Sequence, residues 1–282
     1  MKKTWIKLGV AALAVLTLVG CGNSGSTKDS ASGSGSKDDK VIKVGASPTP
    51  HAEILEEAKP LLKEKGYDLE IVTFQDYILP NKALAEKEID ANYFQHIPYF
   101  NKEVKEKGYD FTNAGAIHLE KMALYSQKIK DIKDLEVGAT ILVSNSQTDW
   151  GRVIGMLQEA GLVKVKDGVD LTTATFDDIS ENPKKLVFKY DIDPAMMATT
   201  YQNKEGDLVA INANFAESIG LNPEKDGVLV EDNNSPYANI IAVRSEDKDS
   251  DKTKALVEAL HDQKIVDFVN NKWKGTVTIV NQ

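Results

Sequence analysis

The sequence holds one cysteine, Cys21, in 282 residues, so no disulfide can close within the chain and stability has to come from a buried core. No apolar run approaches the roughly twenty residues a membrane span needs, which excludes a polytopic membrane protein. Basic clusters are missing too. The chain carries 34 Lys and Arg against 43 Asp and Glu, a formal charge of −9, whereas a nucleic-acid binder draws its affinity mainly from Lys and Arg on phosphates. Arginine itself is scarce: only Arg152 and Arg244 occur, so ordinary surface charge is made from lysine. The four histidines, His51, His96, His118 and His261, form no HExxH pair, and there is neither a Gly-x-Ser-x-Gly elbow nor a phosphate loop. The sequence therefore suggests no enzyme chemistry and no cofactor.

What is present begins at the N-terminus. Lys2, Lys3 and Lys7 precede an apolar stretch, residues 8–19, too short for a stable span and flanked like a secretory signal peptide. Leu18, Val19, Gly20 and Cys21 resemble a bacterial lipobox, in which small residues admit a peptidase and the cysteine sulfur carries a diacylglycerol. Residues 1–20 are thus expected to be a lipoprotein signal peptide and Cys21 the lipidated residue. Its removal would leave 31 basic against 43 acidic residues, a body repelled by anionic lipid and held instead by acyl chains. Ten of the fifteen residues 22–36 are Gly or Ser, which predicts a flexible tether over 21–40 reaching roughly 25 Å.

After Lys40 the pattern turns to strand, polar turn and helix. Residues 41–46 read as a buried strand; Thr49 and Pro50 suit a helix start; Ile54, Leu55, Ala58, Leu61 and Leu62 form a helical stripe that Gly66 ends, with a kink expected at Pro60. About a hundred residues on, the grammar returns: a strand at 140–143, a polar turn at 144–148, and a stripe of Val153, Ile154, Leu157 and Ala160 closed by Gly161. Further strands are predicted at 69–74, 119–126, 208–211 and 240–243, and helices over 251–271. Two such openings predict two α/β lobes with largely parallel sheets. In open sheets of that kind ligands bind beyond the carboxyl ends of the strands.

Three constellations lie where such loops fall. Tyr93, Phe94, Tyr99 and Phe100 enclose Asn92, Gln95 and His96, a mixture that suits either a packed core with satisfied polar groups or a pocket of apolar walls with a few orienting ones. Arg152 follows the second polar turn; it reads either as a surface charge or as a bidentate carboxylate clamp reinforced by the free N–H groups of a helix start. Asn212 and Asn239 stand at the ends of apolar strands, where asparagine is depleted, as turn or cap residues or as ligand-holding amides. His51, His96 and His118 with a carboxylate are also compatible with a zinc or manganese receptor.

Several segments carry a more specific likeness: residues 74–81, Phe-Gln-Asp-Tyr-Ile-Leu-Pro-Asn; residues 89–99, Ile-Asp-Ala-Asn-Tyr-Phe-Gln-His-Ile-Pro-Tyr; Gly151 with Arg152; Ile211 with Asn212; and residues 235–239, Ser-Pro-Tyr-Ala-Asn. On these the chain resembles the methionine-binding lipoproteins of the NlpA family. The resemblance implies an α/β, two-lobed periplasmic-binding-protein-like fold of type II with the ligand cleft between lobes, residues 41–124 and 240–282 forming one lobe and 125–239 the other. It implies a lipid-anchored receptor on the extracytoplasmic face of the cell membrane that binds methionine, L-methionine first, and delivers it to an ABC importer permease with a cytoplasmic ATPase. Tyr77, Phe94, His96 and Tyr99 match the side-chain slot, Arg152 the carboxylate clamp, and Asn212 and Asn239 the amides at the polar end. Two departures bear on the ligand. The family's Pro-Asn-Asp-Pro-Thr-Asn loop is Ser144, Asn145, Ser146, Gln147, Thr148 and Asp149 here, and residues 191–201 form a Met-containing stretch. Asp149 can partly cancel Arg152 or receive a ligand ammonium. D-methionine, a methionine-containing dipeptide and, more remotely, a divalent metal stay open as ligands.

Overall fold

The computed structural model describes residues 40–232 and 235–280. The expected leader, Cys21 and nearly all of the expected tether lie outside the described residues.

The chain starts with β1 (Val41–Ala46), and a wide turn at Pro48–Ala52 feeds α1 (Glu53–Glu64). Ile54, Leu55, Ala58, Leu61 and Leu62 are all buried, and the helix continues through Pro60, which lies on its exposed side. Gly66, at φ +87°, lets the chain reverse after it. Then follow β2 (Asp68–Thr73), α2 (Leu79–Ala85), β3 (Ala91–His96), α3 (Ile97–Lys107) and β4 (Phe111–Glu120). The strand expected at 119–126 is two strands. β4 ends at Glu120, and β5 (Ala123–Tyr125) belongs to a different sheet, a change of partner that apolar patterning cannot register.

The second lobe continues with β6 (Thr140–Ser144), α4 (Gln147–Glu159), β7 (Lys164–Val165), β8 (Ile179–Glu181), β9 (Val187–Ile192), α5 (Met197–Gln202), β10 (Leu208–Ile211), α6 (Ala213–Ser218), α7 (Pro223–Asp226) and β11 (Gly227–Val230). The chain then returns with β12 (Asn239–Arg244), α8 (Asp251–Leu260), α9 (Gln263–Trp273) and β13 (Val277–Ile279).

One sheet has the order β13-β4-β12-β3-β1-β2 and the other β11-β5-β10-β6-β9, with β7 and β8 forming a separate ribbon. Both main sheets are mixed, not largely parallel. β1 pairs in parallel with β2 and β3, and β6 with β9 and β10, but β12 runs antiparallel to β3 and β4, and β5 antiparallel to β10 and β11. The reason is the double crossing: strands that enter a sheet from the other lobe are free of the right-handed βαβ connection that enforces parallel pairing.

Helices cover both faces of each sheet. On the first, Ile42, Val44 and Ile241 pack with Leu55, Leu62, Leu256 and Val269, while Leu84, Phe100 and Ile240 fill the opposite face. On the second, Ile141 and Val143 meet Val153, Ile154 and Leu157 of α4, and Leu142, Val209 and Ile211 meet Met197 and Phe215. Among the described residues no helix is long and apolar enough to cross a membrane.

Candidate functional site

The carboxyl ends of β1, β3, β4, β6 and β10 point at one cavity, lined from both lobes. All eight candidate ligand contacts, Tyr77, Phe94, His96, Tyr99, Asp149, Arg152, Asn212 and Asn239, line it. So do His51, Gln95, Glu120, Ala213 and Asn214, which the sequence did not single out as ligand contacts.

β3 is buried along its whole length, so each of its polar side chains needs an internal partner. Asn92 and Gln95 find theirs in Asn81: the Asn92 and Gln95 amide groups each donate to Asn81 Oδ1 at 2.9 Å, and Asn81 donates to Gln95 Oε1 at 3.1 Å. Part of the polar interleaving in this motif is therefore core chemistry that locks β3 to α2. His96 has a double task. Its Nδ1 accepts from the Tyr99 backbone N–H at 3.2 Å, capping α3, which leaves Nε2 to donate to Asp149 Oδ1 at 3.0 Å in the other lobe. Tyr77, Phe94 and Tyr99 form an aromatic wall with ring centroids 6.0 to 6.1 Å apart, and Phe215 closes on Tyr77 at 5.2 Å. The Tyr99 hydroxyl donates to the Tyr77 carbonyl at 2.9 Å, and the Tyr77 hydroxyl donates across the cavity to Asn214 Oδ1 at 2.7 Å.

α4 begins at Gln147 behind Ser146, so Arg152 sits in its second turn and not its first. Of the polar turn expected at 144–148, Gln147 and Thr148 are already helical. Arg152 is consequently too far along α4 to share the free N–H groups of its start, and Asp149 occupies the favourable first turn instead. The guanidinium is buried. Its Nε donates to Glu231 Oε1 at 3.0 Å, Nη2 donates to Glu231 Oε2 and to the Glu120 carbonyl at 2.9 Å, and Nη1 lies 3.6 Å from Asp149 Oδ1. One edge of the fork is thus taken by Glu231, and Nη1, on the other edge, faces Asp149. The Tyr237 ring lies under the guanidinium carbon at 4.8 Å. Gly151 is required next to it, because a Cβ there would stand 1.7 Å from the Leu171 carbonyl oxygen. Trp150 faces away, donating from Nε1 to the Ser144 carbonyl at 2.9 Å and packing on Phe176 and Tyr190.

Asn212 occupies the cap position of α6 without capping it; its Nδ2 donates to Asp149 Oδ2 at 3.2 Å. Asn239 opens β12, with Oδ1 3.1 Å from His51 Nε2. His51 Nε2 also lies 3.2 Å from Glu120 Oε1, and His118 Nε2 lies 2.7 Å from the same oxygen. The donor atoms of His51, His118 and Glu120 fall within 4.8 Å of one another, whereas His96 stands apart with Asp149. The three histidines grouped from sequence therefore divide between two carboxylates.

The charges follow from these contacts. Burial pulls His51 down to about 4 and His118 to about 3, so both rings are neutral near pH 7. Burial alone would raise Asp149, but its bond to His96, the charge of Arg152 and the Asn212 amide outweigh it and hold the carboxyl at about 2. Glu120 moves the other way: burial raises it, and His51, Arg152, His96 and the Asn214 N–H only partly oppose that. Tyr77 is pushed far up by burial and by Asp149 and Glu120, which keeps its hydroxyl a neutral donor. The cavity thus has a wall of rings on one side and, on the other, a guanidinium nitrogen, two carboxylates and three asparagines.

The NlpA lipoprotein family model matches residues 42–280. The methionine-binding lipoprotein MetQ of Bacillus subtilis is 52% identical over 245 residues, covering 86% of this chain and 89% of that protein. A solved structure of a pheromone cOB1 precursor/lipoprotein of the YaeC family from Enterococcus faecalis is 56% identical with a TM-score of 0.84, over 85% of this chain and 100% of that one. A nutrient binding protein from Burkholderia cenocepacia, solved bound to methionine, is 37% identical with a TM-score of 0.80, over 85% of this chain and 100% of that one.

Proposed function

The chain belongs to the NlpA lipoprotein family, and on that premise we propose that it is a lipid-anchored extracytoplasmic receptor that binds methionine and hands it to an ABC importer permease driven by a cytoplasmic ATPase. The observation that carries the reading is the division of the cavity. A zwitterionic head group fits among Arg152, Asn212, Asn239 and Asp149, and an unbranched apolar tail fits among Tyr77, Phe94, His96 and Tyr99. Cys21 would carry the lipid, and the reading assigns the chain a binding role with no catalysis.

The chemistry sets the division of labour. Methionine has about nine heavy atoms, and a ceiling of roughly −1.5 kcal/mol per atom permits nanomolar affinity in a preorganised cleft. Thioether-to-ring contacts add only about 0.3 to 1.5 kcal/mol, so the charged head group supplies most of the affinity and the aromatic wall sets selectivity. Arg152 Nη1 and the Asn239 amide group are the donors for the ligand carboxylate.

Thermal unfolding of the purified protein with L-methionine, D-methionine, a glycyl-methionine dipeptide, leucine, zinc and manganese tests this. A ligand at a hundred times its dissociation constant adds about 2.7 kcal/mol of stability, so L-methionine is expected to give the largest shift. A shift with zinc or manganese and none with any methionine compound would refute the reading.

A further inference from the structure

Two buried carboxylates, Asp149 and Glu120, line the cavity, and a third, the half-buried Glu231, stands behind Arg152; two of the three are already answered. Glu231 takes one edge of the Arg152 fork; Asp149 receives His96 Nε2 on Oδ1 at 3.0 Å, Asn212 Nδ2 on Oδ2 at 3.2 Å, and Arg152 Nη1 at 3.6 Å. Glu120 differs. Among the described residues no Lys or Arg pairs with its carboxylate, and Arg152 reaches only its backbone carbonyl.

Its two side-chain partners are imidazoles that supply hydrogen bonds without charge. The Tyr93 hydroxyl donates to His118 Nδ1, so His118 carries its proton on Nε2 and donates that to Glu120 Oε1 at 2.7 Å. His51 Nε2 lies between two acceptors, Glu120 Oε1 at 3.2 Å and Asn239 Oδ1 at 3.1 Å, which places its proton on Nε2 as well. Both imidazole donors converge on Oε1, and the Asn214 backbone N–H, also uncharged, is the carboxyl's remaining donor. The carboxylate stands at the last residue of β4, 8% exposed, in the lining of the cavity. A buried carboxylate held by neutral donors, without its own cation, is matched by a ligand that brings one.

We propose that Glu120 receives the α-ammonium of the ligand, with His51 and His118 as positioning residues, so that this receptor selects amino acids over analogues lacking the amine. This rests on the methionine-receptor reading and adds the pole to which the amine turns. Because His51 holds both Glu120 and Asn239 Oδ1, one ring fixes the ammonium acceptor and turns the Asn239 amino group toward the carboxylate. Asp149, with both oxygens engaged, sets His96 and Asn212 in place.

The test is calorimetry of the purified protein with L-methionine and with 2-hydroxy-4-(methylthio)butanoate, which keeps the tail and carboxylate and exchanges the ammonium for a hydroxyl. The wild-type chain is expected to prefer methionine by about 100-fold, and Glu120→Gln to lose that preference by weakening methionine while the hydroxy acid changes little. His118→Gln, expected to lower the preference about tenfold, serves if Glu120→Gln unfolds. Asp149→Asn is expected to weaken both ligands together. A wild-type chain that binds the two compounds equally would overturn the proposal, as would a preference retained in Glu120→Gln or lost selectively in Asp149→Asn. Absence of methionine binding by the wild type would instead overturn the receptor reading itself.

Discussion

His51 Nε2 stands 3.1 Å from Asn239 Oδ1, and this contact between the turn that follows β1 and the start of β12 fixes which way the Asn239 amide faces. With Oδ1 occupied, Nδ2 is the group offered to a ligand. Asn239→Asp keeps the size but turns a donor into an acceptor beside Glu120. Methionine affinity is expected to fall by about 10- to 100-fold, the worth of a hydrogen bond to a charged group, measured by calorimetry. Unchanged affinity would show that the amide does not touch the ligand.

Arg152 serves both stability and binding. Arg152→Ala leaves Glu231 without its cation, Asp149 keeping His96 and Asn212, and is expected to lower stability by about 1 to 3 kcal/mol in denaturant melts, and methionine affinity by about 2 to 5 kcal/mol. Glu231→Gln separates the two effects. It weakens the internal pair while Nη1 stays in place, so stability is expected to fall more than affinity.

The residue before it is constrained by space. A methyl group at position 151 would overlap the Leu171 carbonyl, so Gly151→Ala must push α4 away from that loop. An overpacking cost of about 1 to 3 kcal/mol, or a fall in Tm of roughly 2 to 10 °C, is expected by thermal melts.

Phe94 is expected to govern selectivity. Replacement by leucine keeps an apolar wall but removes a ring next to Tyr77 and Tyr99. The preference for methionine over leucine as ligand is expected to drop by about 2- to 12-fold, while binding of small amino acids as a class survives. Equal losses for both ligands would mean that the ring only packs the core.

Stability should respond to mild acid through His51 and His118. Their ordinary value is 6.5, and burial holds them at about 4 and about 3 in the folded chain. The unfolded chain therefore binds more protons between those values, and stability is full above pH 6.5 and declines as the pH falls, by up to about 1.4 kcal/mol per unit for each ring. Glu120, raised by burial, works in the opposite sense from above its ordinary value of 4.5, so the effect of the rings is read as the difference between wild type and a His118 variant between pH 7 and 5.5. Denaturant melts of His118→Asn are expected to show a shallower decline there than the wild type. An identical slope would mean that His118 is not kept neutral by the fold.

Much of this arrangement was legible because it is local. The stripes of α1 and α4, their closing glycines, and the strands at β1, β6, β10 and β12 follow from periodicity and turn chemistry within a dozen residues. Arg152 stood out because the chain uses so little arginine, and Asn212 and Asn239 because asparagine is rare at apolar strand ends. The rest depends on distant contacts. Nothing near Glu120 announces that His51 will reach it from the turn before α1, or that Asn214 will meet Tyr77 from 137 residues away. The mixed sheets and the split between β4 and β5 were hidden for the same reason, since a strand reads alike whichever sheet it joins. Arg152's place in α4 was misjudged because polar first-turn residues, among them Asp149, look like loop.

The chain passes between the lobes twice, once after Glu120 and once before Asn239, and both residues line the cavity. They therefore stand beside the two chain crossings that join the sheets, whereas Tyr77 and Asn214 meet across the cavity away from those crossings. A head group seated on Glu120 and Asn239 can dock on a gaping receptor before the rings swing shut around its tail. Recognition would then run in sequence, charge first and shape second, with the shape check deciding whether the cavity stays closed.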